Sequence, residues 1–178
     1  PAYAEGLATR DSMIMAFSTT IMSLVMAGKV GSSIAGQLGT MKVTEQIDAM
    51  EIMGLNPPNY LILPKIIAAA FIFPFLAIIS VFLGIMGGAC ASYATGIVSI
   101  EAFVSGIQHD YDPWYIIYAL IKSVFFAIII TVISSYQGYI TRGGAKEVGA
   151  SSTKAVVYSC MVIVLFDLIL SQLLLSQG

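Results

Sequence analysis

Apolar and polar positions alternate along this chain in long blocks. Tyr60 to Tyr93, "YLILPKIIAAAFIFPFLAIISVFLGIMGGACASY", is one apolar run. Trp114 to Tyr136, "WYIIYALIKSVFFAIIITVISSY", is a second, and Ala155 to Leu175, "AVVYSCMVIVLFDLILSQLLL", is a third. Each reaches the length of about 20 residues that a membrane-crossing helix needs. The first is longer, so a tilted or projecting helix is expected. Pro74 inside it predicts a kink.

A fourth run is less uniform. Ser12 to Leu38, "SMIMAFSTTIMSLVMAGKVGSSIAGQL", is apolar at first and then small. Ala27, Gly31, Ala35 and Gly39 recur at every fourth position, and Gly28, Ser32 and Gly36 repeat one step along. In water this many glycines weaken a helix. In lipid, small residues at that spacing let helix backbones approach closely. A glycine-rich loop is the alternative, but turn dipeptides are missing. The pattern predicts spans over 12–38, 60–93, 114–136 and 155–175. The fold class is all-α, a polytopic transmembrane bundle forming a single domain.

Composition agrees with the blocks. The 178 residues are 58% hydrophobic and 10% charged, and the mean hydropathy is +0.90. A soluble domain carries about 25% charged residues, so this chain has too little polar surface to cover a water-facing core. The net charge is −2, with neither a basic block nor an acidic tail, which removes nucleic acid from the expected partners. Cys90 and Cys160 lie in apolar runs without ligand or disulfide spacing and read as buried thiols. Pro1 is not followed by a basic n-region and apolar core, so no signal peptide is expected.

Charge placement sets an orientation. Lys42 and Lys65 border one loop, and Arg142, Lys146 and Lys154 lie in or beside another. The connection 94–113 has Glu101, His109, Asp110 and Asp112 but no Lys or Arg. The positive-inside rule puts both basic loops in the cytoplasm and 94–113 outside. Four spans satisfy this if the chain both starts and ends outside.

One polar block interrupts the apolar ones on the cytoplasmic side: "GTMKVTEQIDAMEIMG", residues 39–54. On a helix, Val43, Ile47, Met50 and Met53 share one face, while Glu45, Asp48 and Glu51 share another. Gly54 and Asn56-Pro57-Pro58 end it. A short amphipathic helix over 43–54 is expected. A solvated loop helix and a docking helix with an adaptable Met face both fit. A lipid-surface helix fits poorly, since such helices carry Lys and Arg on the polar face. Periodicity does not choose between the first two.

At these residues a family resemblance enters. "AGKVGSSIAGQLGTMKVTEQIDAMEIMGLNPPNYLILPK" resembles the signature of the MlaE family, approximately A-G-R-x-G-S-x-x-x-x-E-[LI]-G-x-M-x-x-T-E-Q-[IL]-x-x-[LM]-x-x-M. These are permease subunits of ABC-type lipid transporters, including bacterial Mla systems and chloroplast envelope permeases. "GGAKEVGASSTKAVVYSCMVIVLFDLIL" resembles the family's C-terminal block and last span, and "LIKSVFFAIIITVISSYQGY" its penultimate span. Lys29 stands where the family often has Arg, and Gln37 where it often has Glu. The family's N-terminal amphipathic helix and first span have no counterpart here, as expected of a truncated or processed chain.

The resemblance implies a function and partners. A homodimer of permeases would enclose a lipid cavity in a bacterial inner membrane. A separate ABC ATPase would bind ATP and Mg, and an MCE-domain protein would take or deliver phospholipid outside. This chain itself would hold no cofactor or metal and catalyse no covalent step. The resemblance favours docking for the acidic block, with Thr44, Glu45, Gln46, Asp48, Met50, Glu51, Met53 and Gly54 as the ATPase-coupling residues. Within it, Glu45 and Glu51 would be charged anchors, and Met50 and Met53 packing. "GLATRDSMI" aligns with an Arg-acid pair that the family carries near its lipid cavity, which makes Arg10 and Asp11 candidates to meet a phosphate. Snorkelling of this pair to the outer interface competes with that role.

Other chemistry is thin. There is no G-x-x-x-x-G-K-[ST], H-E-x-x-H or G-x-S-x-G. Lys122 and Asp167 lie inside spans, where a charge costs roughly 2.5–3.5 kcal/mol on insertion scales; a structural ion pair and a substrate role are both open. The "RGGAKEVGASSTK" segment reads as a flexible basic loop, with Thr153 as a cap for the last span. Two rival functions remain. An intramembrane lipid-modifying enzyme would use His109, Asp110 and Asp112. A non-transporting scaffold would need neither Lys122 nor Asp167.

Overall fold

The computed structural model describes residues 4–96, 99–109 and 112–175, without the side chains of 174 and 175. Its described residues form helices and turns. Four helices are long and apolar enough to cross a membrane: α1, Ala4–Val43; α3, Pro58–Thr95; α5, Trp114–Tyr139; and α6, Ala145–Leu175. Two short helices join them, α2, Gln46–Ile52, between α1 and α3, and α4, Ile100–Gln108, between α3 and α5. The architecture is the all-α bundle that the apolar blocks predict.

α5 is the centre of the bundle. It packs against α1, α3 and α6, while the start of α1 packs on α4. Small and aromatic residues meet at the core: Ala27 of α1, Ala69 and Phe73 of α3, Phe126, Ala127 and Ile130 of α5, and Ile163 of α6. Outward faces are apolar too; Phe71, Phe75, Phe82 and Leu165 are all exposed. A span in lipid has no reason to hide such side chains, because lipid tails are as apolar as leucine. The bundle is therefore held by close packing and by polar contacts inside it.

The small-residue stripe of α1 provides that packing. Ala27 and Ala35 are fully buried. A Cβ on Gly31 would stand 2.9 Å from Ser134 Oγ, and one on Gly39 3.3 Å from Val148. Gly36 comes similarly near Ser152, at 3.2 Å. Gly28 departs from the expectation: no atom lies within 4 Å of its would-be Cβ. An approach tighter than any in the stripe involves a glycine outside it. A Cβ on Gly138 would meet the Ala35 carbonyl at 2.7 Å and Leu38 Cβ at 2.8 Å.

Three boundaries differ from expectation. The first span starts at Ala4, and two single π-turns, Met13–Phe17 and Ala27–Gly31, lie within it. The segment read as a flexible loop is helical from Ala145, so Thr153 lies inside α6 and donates back to the Gly149 carbonyl at 3.2 Å rather than capping. Glu147 closes the start of that helix by accepting the Gly144 N–H at 2.9 Å. The connection 94–113 contains α4, with Ser99 as N-cap accepting the Ala102 N–H at 3.3 Å. Pro74 lies inside α3, where it withholds the hydrogen bond that its position would otherwise give to Ala70.

Candidate functional site

The acidic block forms a bent connection rather than one helix over 43–54. α1 runs through Val43, Glu45 then adopts a left-handed backbone at φ 61°, and α2 spans only Gln46–Ile52. A non-glycine residue in this region turns the chain sharply. Gly54, at φ 78°, and Pro57 and Pro58 end the connection and start α3.

Two side-chain bonds hold α2 to the spans. Lys42 Nζ meets Asp48 Oδ1 at 2.5 Å, and Tyr139 at the end of α5 donates to Glu51 Oε1 at 2.9 Å. Lys42 also lies 5.5 Å from the centre of the Tyr139 ring. Ile47 is fully buried. Asp48 and Glu51 are thus bonded within the chain; Glu51 is also exposed, as are Thr44, Glu45 and Gln46, and Met50 is half-buried. The outward apolar surface is the end of the helix, where Ile52 is 87% and Met53 67% exposed. Ile52 falls outside the face drawn from spacing, since it lies about 140° around the helix from Ile47.

The intramembrane charges are brought together. Lys122 of α5 is 0% exposed and forms an ion pair with Asp167 of α6. Its ammonium also donates to the Met15 carbonyl at 3.1 Å, in the first π-turn of α1. Thr20 of α1 donates to Asp167 Oδ1 at 2.9 Å. The rings of Tyr118 and Phe126 flank the lysine at 5.4 and 5.8 Å. Three helices thus share one charge cluster, as the desolvation cost of a lone charge requires.

Arg10 lies at the far end of α1 and is 2% exposed. Its Nε donates to Asp11 at 2.8 Å, and one terminal nitrogen donates to the Ile107 and His109 carbonyls at 2.8 and 2.7 Å. Those carbonyls close α4, so the guanidinium acts as a C-terminal cap. Snorkelling to the interface is replaced by burial. Beside Arg10 lies a cavity of about 400 Å³ with apolar walls that include Ile14, Val81, Phe82, Ile116 and Leu120. Of the three outer-connection residues, Asp110 lies outside the described residues. No group of three metal-ligating side chains is found among the described ones.

The family model "Permease MlaE" matches residues 2–173. The chain belongs to the MlaE permease family. Its similarity to curated proteins is of the same kind. A chloroplast protein of Arabidopsis thaliana, named trigalactosyldiacylglycerol 1, is 42% identical over 86% of this MlaE-family chain and 44% of its own length. A probable ABC transporter permease protein of Synechocystis is 36% identical over 92% of this chain and 62% of its own length. One from Rickettsia felis is 36% identical over 91% and 62%. The chain thus spans about half to two thirds of the length of these relatives. With four candidate spans, it is a multi-pass membrane protein.

The two positions that depart from the MlaE signature have clear surroundings. Gln37 accepts from Lys65 Nζ at 2.6 Å, which ties α1 to the start of α3 without an acid. Lys29 is exposed and has no acidic partner among the described residues. Sequence reading missed Tyr139, Thr20, Gly138 and α4. Ser99 followed by Glu101 was a usable start signal for α4; nothing local marks Tyr139 or Thr20 as partners of distant acids.

Proposed function

We propose that this chain is the membrane permease subunit of an ABC-type transporter. It moves phospholipid or a related lipid between the inner membrane and an MCE-type lipid-binding partner on the outer side. Two copies form the lipid path, and a separate ATPase hydrolyses ATP. The observation that carries the reading is α2. It stands between two spans, is tied to α1 by Lys42–Asp48 and to α5 by Tyr139–Glu51, and presents bare Ile52 and Met53. An apolar tip on a helix clamped at two points transmits force from a docked subunit into the spans as a rigid-body movement.

A lipid cargo is supported by two further features. The cavity beside Arg10 is walled by aliphatic and aromatic side chains that match acyl chains. The name of the Arabidopsis relative is that of a galactosyl diacylglycerol, itself a lipid.

The test is co-purification of the protein from native membranes, probing for a nucleotide-binding subunit. Wild type is expected to carry one, and an Ile52→Asp, Met53→Asp variant to lose it while keeping its elution volume. A separate Glu45→Lys variant reports on the exposed acid. Wild type that carries no ATPase under gentle extraction would sink the reading and advance the scaffold.

A further inference from the structure

Between α5 and α6, a groove runs from the 140–144 turn into the apolar zone. Its inner part, about 410 Å³, is a trough walled by Val132, Tyr136, Tyr158, Met161 and Val162. Its outer part, about 210 Å³, is bordered by Thr141, Arg142, Ser151 and Lys154. Gln137 lines both, so the two parts adjoin along the same faces of α5 and α6. Arg142 and Lys154 are exposed and form no ion pair among the described residues. Glu147 also borders the outer part, but its carboxylate is turned onto the Gly144 N–H.

We propose that this groove binds an anionic phospholipid of the cytoplasmic leaflet, with its phosphate at Arg142 and Lys154 and an acyl chain in the trough beside Met161. Three features fit that occupant. From Lys154 to Val162, α6 rises about 12 Å, most of the roughly 15 Å of hydrocarbon in one leaflet. Tyr136 and Tyr158 lie six and four residues from Arg142 and Lys154, and aromatic side chains are enriched near the headgroup level. The basic residues put this end of the helices in the cytoplasm, where membrane lipids are anionic and basic pockets between spans hold their headgroups. The site is separate from the cavity beside Arg10, and it does not depend on the transporter reading.

The test uses the protein stripped of lipid in detergent and examined by native mass spectrometry. The probes are dioleoyl-phosphatidylglycerol, dioleoyl-phosphatidylcholine and inorganic phosphate. Wild type is expected to prefer phosphatidylglycerol. An Arg142→Gln, Lys154→Gln variant, changed only at exposed positions, loses that preference, with affinity falling roughly 30-fold. Met161→Trp fills the trough and weakens both lipids equally. Equal affinity of wild type for the two lipids would overturn the proposal, as would an unchanged double variant. Competition by inorganic phosphate at lipid concentrations would indicate a free-anion site instead and overturn it too. So would a disulfide between two copies carrying Tyr158→Cys, a position on the groove wall, with Cys90 and Cys160 replaced by Ala, since a second copy would then occupy the groove.

Discussion

Lys122 and Asp167 pair across the α5–α6 interface, and the same lysine reaches the Met15 carbonyl of α1. The pair is thus a three-helix junction in the middle of the bundle. Removing one partner of a buried pair leaves an uncompensated charge, whereas removing both leaves none. Lys122→Leu is expected to destabilise by roughly 3 kcal/mol, and Lys122→Leu with Asp167→Asn by clearly less. Thermal unfolding in detergent decides. Equal losses in the single and double variants would mean that the lysine acts mainly through Met15 and its packing. If the stable double variant still supports lipid transfer, the pair is structural and has no direct part in handling substrate.

Gly138 and Gly28 should respond in opposite ways to the same change. A methyl on Gly138 meets the Ala35 backbone, which cannot step aside without moving α1. Gly138→Ala is expected to cost about 1–3 kcal/mol, the range for overpacking. Gly28→Ala meets open space and should be neutral or slightly stabilising. Unfolding midpoints measured side by side would show it; a destabilised Gly28→Ala would reveal a neighbour outside this chain.

The clamp on α2 is local. Its bonds are largely exposed, so each contributes at most about 1 kcal/mol to global stability. Tyr139→Phe with Asp48→Asn should leave the unfolding midpoint nearly unchanged. It should nevertheless speed amide hydrogen exchange over 46–52 several-fold. Unchanged exchange would mean that buried Ile47 alone seats the helix.

Arg10 should tolerate no lysine. A single ammonium cannot reproduce the planar fork that serves Asp11 and two carbonyls at once. Arg10→Lys is expected to loosen α4, seen as faster proteolysis or exchange within 100–108, while α5 and α6 keep their protection. Loss of protection throughout the chain would instead make Arg10 a determinant of the whole fold.

The sequence by itself determined the class of molecule and the number of long apolar helices. Runs such as Trp114–Tyr136 can satisfy their backbone in lipid only as helices, so length and hydropathy were sufficient. The stripe at Ala27, Gly31, Ala35 and Gly39 was legible for a related reason: close approach demands small side chains at helical spacing. The tertiary structure alone decided the partners. Whether Glu51 meets Tyr139, whether Gly28 or Gly138 marks a tight seam, and whether Arg10 snorkels or caps α4 depend on how separate helices rotate against one another. That rotation is set by the sum of many side-chain contacts between segments far apart in the chain. No local pattern of apolar and polar positions carries it.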